Sequence, residues 1–162
     1  MLPIALDPTI IRVGLIGAGE GLARRRAFLT ESGVEAAEQG AVDGLHVLFV
    51  AGLDHARSAI LAAEARAKGV LVNVEDVPEL CDFHVPAVVR RGDLALTVST
   101  NGRAPGLSRL LREWLGRMFG PEWTGRVNEV ARARDGWRAE GLATDEVSRR
   151  TRDLVAGQGW LK

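Results

Sequence analysis

The sequence predicts an α/β protein with a parallel, doubly wound sheet, followed by a β/α segment and a small helical region. Three observations carry this expectation. A short β-branched run at residues 11–16 feeds straight into Gly17-Ala18-Gly19-Glu20-Gly21 and then into a helical pattern. Apolar strands and an Ala-rich helix alternate as far as residue 74, the grammar of parallel βαβ units. Beyond Asp76 the alternation stops, and two strand-like runs, an amphipathic helix and an Arg-rich tail follow.

Taken in order, residues 11–16 read as the first strand and 22–31 as a helix, with Leu22, Ala23, Ala27 and Phe28 as its apolar face. Gly33 closes the unit. Residues 34–43 carry little strand character. Residues 45–51 are nearly all apolar, as a strand buried on both faces requires. Residues 54–68 form a helix that starts at Asp54 and stops before Gly69, and 70–74 form the next strand. Residues 83–89 and 94–99 read as strands joined by Arg90-Arg91-Gly92-Asp93. A loop leads to an amphipathic helix over 107–119, which Gly120-Pro121 breaks, and the tail from 122 to 162 is polar and helical.

Composition narrows the function. The chain has 162 residues, 46% hydrophobic and 26% charged, the balance of a globular domain. Lys plus Arg equals Asp plus Glu at 21 each, which removes any global attraction to nucleic acid or an anionic membrane. With no tyrosine and 5% aromatics, a base-stacking platform is not expected either. No apolar run is long enough to cross a bilayer. Met1-Leu2-Pro3-Ile4 lacks the features of a signal peptide, and the single Cys81 excludes an internal disulfide. A reducing, cytoplasmic setting is the expectation.

Two places invite chemistry. A strand entering a glycine turn and a helix presents backbone N–H groups and a positive dipole end to a phosphate. Gly17 suits the tight turn and Gly19 a close pyrophosphate approach, while the third small position of the dinucleotide pattern falls on Leu22. The competing reading is a tight connection without ligand. The acid that grips a ribose about 20 residues on would be Glu35 or Glu38, neither after a convincing strand. The second place is Asn73-Val74-Glu75-Asp76, at the strand end where open α/β sheets bind ligands. There Asp76 reads either as a turn cap or as a general base.

Other features read as structural. Cys81 is expected to be a small buried hydrophobe. His46, His55 and His84 share no metal-ligand spacing. Arg24-Arg25-Arg26 reads as a solvated helix face whose place behind the glycine turn also suits it to steer an anion, and Trp123, Trp137 and Trp160 read as packing anchors.

The blocks Val72-Asn73-Val74-Glu75-Asp76, Pro78-Glu79-Leu80-Cys81-Asp82-Phe83, Pro86, Arg90-Arg91-Gly92-Asp93-Leu94 and Val98-Ser99-Thr100-Asn101-Gly102, before Leu107-Ser108-Arg109-Leu110-Leu111-Arg112-Glu113, share order and spacing with one family. In these blocks the chain resembles the precorrin-2 dehydrogenases, the N-terminal part of siroheme synthases. The likeness covers most of residues 1–119 and the tail only loosely.

The resemblance implies a Rossmann-like NAD-binding domain over 1–84, a dimerisation segment over 85–119 that exchanges with a second subunit in a homodimer, and a helical domain over 120–162. It implies NAD-dependent oxidation of precorrin-2 to sirohydrochlorin, with insertion of ferrous iron in some members. Asp76 takes the place of the family's catalytic aspartate, serving as base and, in chelating members, as a transient metal contact. NAD contacts carry over to Gly17, Ala18, Gly19, Glu20, Gly21, Ala51, Gly52 and Asn73, and tetrapyrrole contacts to Ser99, Thr100, Asn101, Gly102 and Arg103. Arg90, Arg91, Arg103 and Arg109 are the cations expected around the substrate's carboxylates.

Three departures stand out. Between Gly33 and Leu45 the chain is shorter than typical members by a strand and a helix, Leu22 replaces a small residue, and Asn101 replaces a loop glycine. Asn tolerates left-handed backbone, so the loop shape is expected to persist. The trimmed region keeps two other readings open: a tetrapyrrole- or nucleotide-binding dimer without turnover, and a chelatase with a degenerate NAD site.

Overall fold

The computed structural model describes residues 2–38 and 42–161. It divides into two units, one running through Val85 and the other starting at Pro86.

The first unit is a parallel sheet. Strand β1 (Val13–Gly17) runs into helix α1 (Gly19–Glu31), then β2 (Ala37–Glu38), β3 (Val47–Ala51), helix α2 (His55–Ala67) and β4 (Leu71–Val74). The strand order is β2-β1-β3-β4, and every pairing is parallel. Each side chain of β3 is buried, and they alternate between two cores. Leu48 and Val50 join Val72, Val74 and the Leu61, Ala62 and Ala65 face of α2. Val47 and Phe49 join Val13, Leu15 and Leu29 beneath α1. One helix on each face of a parallel sheet is the doubly wound arrangement that the alternation predicts.

The cap of α2 is the one expected. Asp54 accepts the Arg57 N–H at 2.8 Å, and Gly69, at φ 71°, reverses the chain beyond the helix. The face of α1 is not. Ala23 and Ala27 are exposed, and Leu22, Arg25, Phe28 and Leu29 turn inward instead. The reason is Arg25, whose guanidinium lies 5.1 Å from the Phe49 ring centre and 5.9 Å from that of Phe28. A stacked guanidinium with a buried stem covers the sheet where an alanine was expected. Arg25 is therefore no part of a solvated stripe.

Strand β4 is an edge whose backbone is closed without another strand. The segment after it makes a 3-10 turn (Pro78–Leu80) and runs back alongside. Asp82 N–H donates to Val72 O at 2.8 Å, and the Asp82 carboxylate accepts Val72 N–H at 2.9 Å and Arg66 Nε at 2.8 Å. Val74 N–H donates to Cys81 Sγ at 3.2 Å, and the thiol donates back to Val74 O, also at 3.2 Å. Cys81 is thus a half-buried hydrogen-bonding group rather than an inert filler. Phe83 meets Phe49 edge-on at 5.4 Å and anchors the strap to the α1 core.

The second unit begins with a hairpin, β5 (Ala87–Arg91) and β6 (Leu94–Val98). The expected strand over 83–89 starts later, because Phe83 and Val85 pack in the first unit's core instead. Helix α3 (Pro105–Met118) packs on both strands, and α4 (Trp123–Ala139) and α5 (Thr144–Gly157) pack together. Arg91 ties the hairpin to α3. Its Nε donates to Phe119 O at 2.8 Å, Nη2 to Gly116 O at 2.9 Å and Nη1 to Arg90 O at 2.7 Å. Trp123 packs on Phe119 at 4.9 Å and Trp160 at 6.5 Å, with Arg126 over both indoles, so these tryptophans are anchors as expected. Trp137 lies 6.0 Å beneath Arg150. No helix among the described residues is long and apolar enough to cross a membrane.

Asp82→Ala removes the partner of a backbone N–H and of a guanidinium together. The expected loss is about 1.5–3 kcal/mol of unfolding free energy, read from urea denaturation, with Asp82→Asn losing less.

Candidate functional site

The carboxyl ends of β1 and β3 are adjacent, with Gly17 opposite Ala51. The chain leaves β1 toward β2 on one side and enters β3 on the other, so the order reverses between them. Crevices at such reversals are where open α/β sheets take ligands.

Two glycine turns meet there. Ala18 N–H donates to Ala51 O at 3.1 Å. A Cβ on Gly17 would run into the Ala51 carbonyl, and one on Gly52, at φ 68°, into that of Ala18. A Cβ on Gly21 would lie 2.8 Å from Gly52 N. Backbone contact between the turns therefore explains Gly17, Gly21 and Gly52 without any ligand. It also accounts for Leu22. The position that must be small is Gly21, which leaves Leu22 to pack on the α1 core.

Gly19 is different. It has φ 59° and open space where a Cβ would stand. It opens α1, whose N-cap, Ala18, supplies no side-chain acceptor, whereas α2 is capped by Asp54. The first-turn N–H groups of α1 thus face outward beside a glycine that crowds nothing, a cradle suited to an anion.

Of the two acids expected to face a ribose, Glu38 is the one at a strand end. Glu38 ends β2, paired beside Leu15, so an acid does close the strand next to β1. Its side chain lies outside the described residues, as do residues 39–41 of the shortened stretch. Two residues of strand are too few to leave a period in the sequence, and Glu35 precedes the strand.

Asp76 stands two residues beyond β4, exposed, at φ 59°. Left-handed backbone is uncommon outside glycine, and Asp and Asn are the residues that tolerate it best. The turn is held from both ends. Glu75 N–H donates to Val50 O at 2.9 Å, and the Cys81 thiol lies 3.4 Å from Val77 O. Asn73 is buried beneath it, with its amide donating to Phe83 O at 2.9 Å and its Oδ1 unpartnered among the described residues.

Glu75 turns the other way. Its carboxylate, 17% exposed, lies against Gly21 and 3.6 Å from Arg24, which also lies 3.7 Å from Glu20. Arg24 is thus paired rather than merely solvated. Burial lowers the Arg25 pKa, and Glu75 with the other acidic groups nearby raises it in turn. In the sequence Glu75 only fills the variable place before Asp76, while Arg24 reads as part of a basic run behind the glycine turn.

The predicted substrate loop lies in the second unit. Asn101 at φ 53° and Gly102 at φ 74° are consecutive left-handed residues, so the loop accepts Asn101 as expected. Thr100 Oγ1 accepts Ala104 N–H at 3.2 Å and contacts Ser108 Oγ at 3.0 Å, and Arg103 is exposed. Two of the expected cations are already engaged, Arg91 on three carbonyls and Arg109 on Glu113 at 3.0 Å. His46, exposed, accepts Arg12 N–H at 2.9 Å, and His55 lies 3.5 Å from Glu79. No group of three or more His, Cys, Asp or Glu suited to hold a metal occurs among the described residues.

A family model for NAD(P)-binding matches residues 29–87, and one for the central part of a sirohaem biosynthesis protein matches 91–118. A siroheme synthase of Methylococcus capsulatus is 32% identical over 137 residues, 68% of this chain and 29% of that one. Another, of Thiobacillus denitrificans, is 31% identical over 156 residues, 80% of this chain and 32% of its own length. The chain thus spans about a third of the curated relatives it matches. A solved structure of SirC, a precorrin-2 dehydrogenase, has the same fold, with a TM-score of 0.71 at 19% identity over 100% of this chain and 93% of that one.

Gly52→Ala forces a left-handed alanine against the Ala18 carbonyl. The backbone alone costs about 1–2 kcal/mol, and the contact adds to it. Gly19→Asn, in open space, should stay within about 1 kcal/mol of the parent in the same denaturation experiment.

Proposed function

Because this chain belongs to the precorrin-2 dehydrogenase and siroheme synthase family, we propose that it oxidises precorrin-2 to sirohydrochlorin with NAD as hydride acceptor. The observation that carries the reading is an exposed carboxylate on a left-handed turn, Asp76, one residue from an acid that touches the uncapped glycine turn. The oxidation removes two electrons and two protons' worth of hydrogen, as one hydride and one proton. The bound nicotinamide supplies the hydride acceptor, and Asp76 accepts the proton.

The remaining roles follow from placement. Gly17, Ala18, Gly19, Glu20 and Gly21 offer backbone to the dinucleotide phosphates, with Ala51 and Gly52 as the opposite wall. Asn73 keeps one acceptor, Oδ1, for the cofactor. Glu38 is the acid placed for a ribose. Ser99, Thr100, Asn101, Gly102 and Arg103 receive the tetrapyrrole, where a positively charged, amide-rich loop suits its carboxylates. Ferrous iron enters as a second substrate if Asp76 also accepts the macrocycle's protons. A reducing cytoplasm suits the free Cys81 thiol that braces the turn.

The working unit is a homodimer. Helix α3 exposes Leu107, Leu110, Leu111, Trp114 and Met118 at helical spacing, a stripe in need of a cover. A second copy supplies it through the exchanged segment over residues 85–119.

Mixing protein, precorrin-2 and NAD should generate NADH absorbance. Asp76→Asn, which keeps the backbone tolerance, should lower the rate by about 10²–10⁴-fold with little change in melting temperature. If the parent protein binds sirohydrochlorin but never reduces NAD, the dehydrogenase reading fails. NAD at about 100 times its Kd should add about 2.7 kcal/mol of stability, seen as a rise in melting temperature. Leu110→Glu should shift the protein to monomer in sedimentation equilibrium.

A further inference from the structure

Glu75 is an acid in an unexpected place. An anionic cofactor is drawn to the first turn of α1, yet a carboxylate only 17% exposed lies against Gly21 of that turn. Its neighbours say how it is kept there. Arg24 lies 3.6 Å away, and Arg24 also lies 3.7 Å from Glu20, whose side chain is 97% exposed. Arg25 is held by stacking on Phe49, 5.1 Å from its ring centre, and does not swing free. Arg24, with 62% of its side chain exposed, is the cation able to turn toward a ligand at the glycine turn.

We propose that Glu75 sets the affinity of the dinucleotide site by holding Arg24 in a carboxylate pair, so that Glu75 and the cofactor phosphates compete for one guanidinium. This rests on the dinucleotide reading above. Glu75 touches the turn that binds the cofactor and is covalently next to Asp76, so the same pair joins the two working turns. An acid that opposes its own anionic ligand keeps binding loose and release fast, which suits an enzyme that must exchange NADH for NAD at each turnover. The proposal makes an opposite-sign prediction from any structural role. Removing a structural ion pair weakens binding, whereas removing this acid strengthens it.

The test is calorimetric titration of NAD into the purified parent protein, Glu75→Gln, Arg24→Gln and the double variant, at about 50 mM and about 500 mM salt. Glu75→Gln should lower Kd about fivefold, Arg24→Gln should raise it about fivefold, and the double variant should match Arg24→Gln, because Glu75 acts through Arg24. Each difference should shrink at the higher salt, because it is electrostatic. If the parent binds NAD and Glu75→Gln binds it no more tightly, the competition does not exist. If no protein in the series binds NAD, the dinucleotide reading itself fails. Should Glu75→Gln not fold, Arg24→Gln decides the matter. A raised Kd whose difference from the parent shrinks at the higher salt supports the pair, and an unchanged Kd overturns it.

Discussion

The open edge of β4 is the constraint on which the site depends. A parallel strand with nothing beside it leaves N–H and C=O groups to water or to a neighbouring chain. Here the strap after β4 answers them with unlike groups. The amide and carboxylate of Asp82 take both polar groups of Val72, and the Cys81 thiol takes both of Val74. Arg66 then holds Asp82 and Leu80 O from α2. The strap must leave the strand, turn and come back, and Asp76 lies on that turn. Closure of the edge and placement of the acid are one piece of geometry.

The glycine turn shows how a binding motif is first a packing motif. Gly17, Gly21 and Gly52 are small because two backbones pass within contact of each other. Of the glycines in these two turns, Gly17, Gly19, Gly21 and Gly52, Gly19 is the one free of such neighbours. The pattern of glycines thus reports the meeting of β1 and β3, and the helix end that this meeting leaves uncapped is the part open to an anion. The missing small residue at position 22 does not weaken the turn, since Gly21 meets the close approach.

What the sequence disclosed follows the strength of each periodic signal. β3, with five buried residues, and α2, with Asp54 before it and Gly69 after, were legible because burial and capping leave local marks. Asp76 was legible only through the block around it, since a lone acid at a strand end reads equally as a cap. The two-residue β2 has no period to detect. The inward Arg25 defied the apolar pattern of α1 because a cation stacked on Phe49 stands in for a hydrophobe. From the sequence Arg91 reads as a substrate cation, and nothing local reveals that its partners are carbonyls at the far end of α3. The strap over 78–83 matches neither helix nor strand, and its side chains work as backbone partners, which no propensity describes.

The left-handed conformation of Asp76 also filters which acids evolution can place there. Glutamate offers the same carboxyl chemistry with a longer reach, but it lacks the short side chain that eases positive φ. The choice between the two acids is therefore made by the backbone before any substrate arrives. Sequences that drift at this position are channelled toward Asn or Gly, which keep the turn and lose the carboxylate. Exchange of this acid is then a nearly silent event for folding, so that chains with intact architecture and without it are easy to generate and hard to tell apart by shape.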